Sequence, residues 1–167
     1  MKNLLIVLLT VLLNITLVKP CTTAVISGKA TNDGRPLLMK HRDTDDLNNI
    51  IKYFNDGKYS YVGLVDASDS LYENVWIGFN EKGFAIMNSA SYNLKDKSDT
   101  TYSADLEGVL MKHALMNCAS IEEFEEYLSS AAKPLSVEAN FGVIDAFGNA
   151  AYFETNNFTY KKFDAND

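Results

Sequence analysis

Cys21 is the residue from which chemistry would start. It heads a β-branched run, Thr22-Thr23-Ala24-Val25-Ile26, and stands directly after a segment that reads as removable. A cysteine exposed in that way carries a free α-amine on the same residue as its thiol. Such an amine has a reference pKa of about 8, so near neutral pH it can take the thiol proton and pass it to a leaving group. No histidine base is then required, and the chain offers only His41 and His113, neither within a recognisable triad. Arg42 and Asp45 are the next candidates. If residues 21–27 and 37–42 are the two strands of a hairpin, Arg42 ends where Cys21 begins. A guanidinium beside sulfur favours the thiolate, and a carboxylate there can orient the ammonium or the arginine. The plainer alternative is that residues 41–46 form a solvated polar loop. For the cysteines the plainer alternative is a Cys21–Cys118 disulfide in an exported chain, worth about 4–5 kcal/mol in the chain-entropy picture.

The elements that must position these residues follow from periodicity. Asn32-Asp33-Gly34 is a turn signal between the two hairpin strands. Residues 59–65 and 75–79 are rich in aromatic and β-branched side chains and read as strands. Asn80-Glu81-Lys82-Gly83 is a tight turn into a further strand over 84–89. The period then changes. Residues 103–118 carry Leu106, Val109, Leu110 and Ala114 at helical spacing. Ser120 to Glu123 is a capping box that opens a second helix with the stripe Ile121, Phe124, Leu128 and Ala131, ended by Lys133-Pro134. Strands resume over 140–146, 150–155 and 158–163. Strands, two helices and strands again imply a layered α+β domain.

Bulk properties narrow the partners. The 167 residues suit one domain, and 47% hydrophobic with 22% charged residues implies a packed core. Met1-Lys2-Asn3, an apolar run over 4–13 and a fading end at Pro20 have the layout of a secretory signal peptide, so export to a periplasmic or extracellular space is expected. Val18-Lys19-Pro20 is a poor signal-peptidase site, and no lipobox precedes Cys21. The 15 basic and 22 acidic residues give −7; without Lys2 and Lys19, 13 basic residues remain, for −9. That balance disfavours nucleic acid and anionic membranes as partners. No cluster has metal-ligand spacing and no glycine-rich loop suits a phosphate, so neither metal nor cofactor is expected. Asn14-Ile-Thr and Asn157-Phe-Thr match the glycosylation sequon, and chance is the favoured explanation of both.

Cys21-Thr22-Thr23-Ala24-Val25, followed by Lys40-His41-Arg42-Asp43-Thr44-Asp45, resembles the start of the penicillin-acyltransferase and choloylglycine-hydrolase group of N-terminal-nucleophile (Ntn) hydrolases, which cut linear amides. The run from Gly78 through Asn80-Glu81-Lys82-Gly83 to Asn88-Ser89 is similar to that group's Asn-Glu-x-Gly hairpin. Residues 140–146 and 151–154 are similar to its paired core strands. The resemblance spans about residues 21–163. It implies a four-layer αββα sandwich, of which residues 21–167 would supply the N-terminal part, with an apolar sheet face left uncovered. It implies Cys21 as nucleophile, Arg42 and Asp45 as its organisers, and Asn88 at an oxyanion or substrate pocket; the alternative for Asn88 is a side chain that closes a strand end. Cys118 is then a buried small apolar residue rather than a disulfide partner. The group's main oxyanion asparagine lies on a strand beyond this region. The function implied is a cysteine-dependent hydrolase or acyltransferase of acylated small molecules or peptides, working through a thioester, as a homo-oligomer or paired with a C-terminal half. A catalytically inactive exported binding domain on the same fold is the alternative from another class, and a disulfide-stapled structural protein is a third.

Overall fold

The computed structural model describes residues 21–101 and 104–167. The signal-peptide expectation therefore lies outside the described residues. The chain runs β1 (Thr22–Ile26), a single 3-10 turn (Gly28–Ala30), β2 (Leu37–His41), β3 (Asn49–Phe54), β4 (Tyr61–Asp66), β5 (Ile77–Asn80), β6 (Ala85–Ala90), α1 (Glu107–Asn117), α2 (Ile121–Ser130), β7 (Ala139–Ile144), β8 (Ala150–Thr155) and β9 (Tyr160–Asp164). β3 to β9 form one antiparallel sheet in chain order, while β1 and β2 make a separate hairpin. Both helices fall between β6 and β7, which pair directly from Ala85–Ile144 to Ala90–Ala139.

The large sheet is sandwiched. On one face the helices bury Leu110, Met111, Ala114, Leu115, Ile121, Phe124 and Leu128 against Phe84, Ile86, Phe141 and Phe153. The Phe124 ring meets Phe153 edge-on at 5.3 Å between centroids, a geometry that aromatic quadrupoles favour. On the other face the β1–β2 hairpin lies over β6, β7 and β8. It comes close at Gly142, where a Cβ would stand 2.3 Å from Met87 Cε and 2.7 Å from Val25 Cγ2. The hairpin covers only part of this face. Over β4 and β5 the apolar side chains Val62, Leu64, Ile77 and Phe79 line an open hollow of about 570 Å³ with Ile51 and Leu37. Ile51 is 77% exposed and Phe79 57%. This is the uncovered apolar sheet face that the sequence led us to expect. The described residues thus form three layers: helices, sheet and hairpin.

Two features differ from the sequence reading. β3 was not anticipated, because on this edge strand Ile50, Ile51 and Tyr53 are exposed on both faces, only Phe54 is buried, and the apolar residues show no alternation with polar ones. The stripe on α1 is rotated. The helix begins at Glu107, so Leu106 becomes the residue before it and Val109 is 37% exposed, while Met111 and Leu115 are fully buried. Gly108 allows that rotation by sitting against Asn74, 2.7 Å from where its Cβ would be. The capping box of α2 forms: Ser120 Oγ accepts from the Glu123 N–H at 3.2 Å, and Glu123 Oε2 accepts from the Ala119 N–H at 2.7 Å.

Candidate functional site

The hairpin register decides which side chains meet. Thr23 lies opposite Lys40 and Thr22 opposite His41, so one further step sets Cys21 across from Arg42. Side chains alternate along a strand. Cys21, Thr23 and Val25 of β1 and Leu38, Lys40 and Arg42 of the return strand therefore share one face, the face that looks onto the large sheet. Cys21 is half-buried there, its Sγ 3.9 Å from the Asp43 carbonyl oxygen, a long sulfur contact.

Arg42 is clasped by Asp66 at the end of β4. Its Nη1 and Nη2 reach the two carboxylate oxygens, the second at 3.1 Å, and the two side chains are only 12% and 17% exposed. Nη1 also donates to Asn49 Oδ1, and Asn49 pairs with Asp66 across β3 and β4. The Trp76 indole stacks on the guanidinium at 4.6 Å and donates its Nε1–H to Asp66 Oδ2 at 2.9 Å. A bidentate, stacked arginine of this kind is fixed in place. Asp45 is exposed in the connection after β2.

Lys40 reaches into the large sheet. The β5–β6 pairing ends at Ile77–Met87, and just beyond it the Lys40 ammonium donates to Trp76 O at 2.9 Å, Asn88 O at 2.7 Å and Asn88 Oδ1 at 2.6 Å. It stands in for the ladder bonds that the diverging strands no longer make. Burial pulls its pKa down to about 8, with the Arg42 charge adding to that and Cys21 opposing it. Asn88 is buried, shares a strand face with Ile86 and pairs with Phe141, both core residues on the helix side; Lys40 donates to its amide oxygen. On the hairpin side the neighbouring polar groups are Ser89, Asn140 and Tyr152. The Tyr152 hydroxyl lies 3.3 Å from Thr23 Oγ1 and 3.2 Å from Ser89 Oγ, and Asn140 Nδ2 donates to Ser89 Oγ at 3.5 Å. Cys118 is free, buried at the end of α1, and burial pushes its thiol up to about 12. Among the described residues no group of His, Cys, Asp and Glu is placed to hold a metal ion.

Comparison with solved structures finds two variants of the conjugated bile acid hydrolase from Clostridium perfringens. One is 20% identical with a TM-score of 0.59, and the match covers 87% of this chain and 50% of that one. The other is 21% identical with a TM-score of 0.57, covering 86% and 51%. Penicillin V acylase from Agrobacterium tumefaciens is 16% identical with a TM-score of 0.44. This is the Ntn-hydrolase fold. The chain spans about half the length of the solved structures it matches. No family model matches the sequence, and no curated protein does.

Within this Ntn-hydrolase fold the Asn80-Glu81-Lys82-Gly83 run is a structural joint. Asn80 Nδ2 donates to Leu115 O at 2.9 Å and Cys118 O at 2.7 Å, closing the end of α1, while its Oδ1 accepts from the Lys82 and Phe84 N–H groups. Gly83 takes a φ of +80°, which favours glycine. Asn157 of the second sequon is buried, with its Nδ2 donating to Asp99 Oδ2 at 2.8 Å. Sequence reasoning missed Asp66, Trp76 and Asn49, the partners of Arg42, and gave Lys40 no role. Trp76 is the chain's one tryptophan, and a tryptophan at a strand start is a signal worth following. The link from Arg42 to Asp66 has no local signature, because strand pairing alone creates it.

Proposed function

We propose that the protein is a cysteine-dependent amide hydrolase or acyltransferase, with Cys21 as the nucleophile. The observation that carries this reading is the common face of the hairpin, on which Cys21, Lys40 and the clasped Arg42 are gathered at one end of the space between hairpin and sheet. Cys21 Sγ attacks the carbonyl carbon of a linear amide, and the C–N bond breaks as the leaving amine takes a proton. The acyl group stays on sulfur as a thioester until water or an amine accepts it. The α-amine of a mature Cys21 is the base that moves the proton in both halves. Arg42 and Asp45 hold the nucleophile's surroundings, and Asn88 closes the seam that Lys40 bridges. The substrates are acylated small molecules or peptides, in keeping with the bile acid conjugates named for the proteins it resembles in fold. The chain acts outside the cytoplasm after losing residues 1–20, and further polypeptide, a second copy or a C-terminal half, completes its pocket. Intact mass and N-terminal sequencing of the exported chain, beside turnover of a glycine-conjugated bile acid and of acyl-p-nitroanilides, test the reading. A mature chain that starts at Cys21 and cleaves an amide, with both lost in Cys21→Ala, is the expected result. A mature chain in which Cys21 stays internal sinks it.

A further inference from the structure

The hairpin side of the large sheet carries a polar row near the Cys21 end of β1. The register sets Ser89 of β6 opposite Asn140 of β7, Asn140 opposite Glu154 of β8, and Glu154 opposite Lys161 of β9. Asn140 alternates with Phe141 and Glu154 with Phe153, both core residues under the helices, so the side chains of the row stand on the hairpin face. Contacts of the hairpin locate Cys21 against this row. Val25 lies at Gly142, two residues from Asn140 on the same face. Thr23 Oγ1 is 3.3 Å from the Tyr152 hydroxyl, which meets the row at Ser89 Oγ, 3.2 Å away. A two-residue step along β1, roughly 7 Å, therefore leads from the level of Gly142 to the row, and the next step is Cys21.

The row holds acceptors that the chain does not fill. Asn140 Nδ2 donates to Ser89 Oγ at 3.5 Å, and among the described residues nothing donates to Asn140 Oδ1. Glu154 is half-buried, and among the described residues its carboxylate has neither a hydrogen bond nor an ion pair. Lys161, directly opposite, does not meet it: the Lys161 ammonium stands over the Phe163 ring, 4.6 Å from the centroid. A partly desolvated carboxylate beside an open amide oxygen accepts hydrogen bonds and offers none, and its strongest partner is a charged nitrogen.

We infer that Glu154, with Asn140 beside it, is the specificity residue of the site and receives a positively charged nitrogen, an ammonium or guanidinium, that the substrate carries close to its scissile amide. Among acylated small molecules and peptides this selects those with a basic group, such as acylated diamines and basic peptides. The inference rests on the reading of Cys21 as nucleophile, but its test needs no turnover.

The test is the charge selectivity of Cys21 modification in the exported chain. The rate with cationic 2-(trimethylammonium)ethyl methanethiosulfonate is divided by the rate with anionic 2-sulfonatoethyl methanethiosulfonate, both read by mass spectrometry at one pH. The two reagents meet the same thiol, so its own reactivity cancels from the ratio. Glu154→Gln is expected to lower the ratio about fivefold, while Glu122→Gln, on the exposed face of α2, leaves it within about twofold. Buried Cys118 is the internal control for folding, since it meets reagent only when the core opens. An unchanged ratio in Glu154→Gln with Cys118 still protected overturns the proposal. If Glu154→Gln exposes Cys118, Lys161→Gln decides: removal of the neighbouring positive charge must raise the ratio, and an unmoved or lower ratio overturns the proposal equally. A chain with the expected ratios that cleaves no amide refutes the amidase reading and leaves the role of Glu154 standing. A chain that cleaves amides with a ratio indifferent to Glu154 does the reverse.

Discussion

Asp66→Ala isolates the clasp that holds the return strand of the hairpin. The side chains of the pair are 12% and 17% exposed, so removing the carboxylate leaves a guanidinium largely out of water with one remaining oxygen partner, Asn49 Oδ1. Breaking such a pair from one side costs about 3–5 kcal/mol, chiefly the penalty of the stranded charge. The Trp76 Nε1–H bond to Asp66 is lost as well, which places the expectation in the upper part of that range. For a chain of this size about 1 kcal/mol corresponds to roughly 2–4 °C in Tm, so a drop of about 8–20 °C is expected. Thermal and urea unfolding followed by Trp76 fluorescence read the Tm and the free energy, since the one tryptophan sits on the clasp itself. The double variant Arg42→Met with Asp66→Leu should recover more than half of the loss, because no charge is then stranded. A single-variant loss below about 1 kcal/mol, or a double variant as unstable as the single, would refute the account of a buried, mutually dependent pair.

Three further outcomes follow from the same contacts. Gly142→Ala forces the hairpin off the sheet, because the new methyl meets Met87 and Val25; a loss of about 1–3 kcal/mol in urea unfolding is expected, with faster Cys21 alkylation by a bulky maleimide as the layers part. Asn80→Ala removes four hydrogen bonds and strands two buried carbonyls at the end of α1, so a loss of about 2–4 kcal/mol is expected in the same assay. Lys40 binds its proton less tightly in the folded chain, with a pKa of about 8 against an ordinary 10.5. The unfolded state therefore holds more protons between pH 8 and 10.5, and stability should rise with pH across that window. Melting curves should show this rise in wild type and lose it in Lys40→Met; a wild-type slope equal to that of the variant would exclude the shift.

Much of the fold was legible because its signals are local. The α2 helix announces itself through Ser120 and Glu123, whose side chains satisfy amides only a few residues away. The β5–β6 hairpin is marked by Gly83, where a positive φ admits few other residues, and β7, β8 and β9 by β-branched and aromatic runs between turns. β3 escaped because an edge strand with Ile50, Ile51 and Tyr53 exposed on its two faces and only Phe54 buried carries no clear period of two. The rotation of α1 escaped because Leu106, Val109 and Leu110 are equally apolar, and only the close approach of Gly108 to Asn74 chooses among them.

For the site, the sequence alone marked Cys21 and Arg42 and set them on one hairpin, since strand alternation and a short connection are properties of neighbouring residues. It could not say what surrounds them. Asp66 lies 24 residues from Arg42 and Asn88 lies 48 from Lys40, and residues so far apart meet only when sheet register and layer packing are complete. Those long-range contacts clasp Arg42 between Asp66 and Trp76 and bring the Lys40 ammonium to Asn88. What stands beside each of these charges is therefore a question that only the tertiary structure decides, because the surroundings of a charge depend on its neighbours in space and not on its place along the chain.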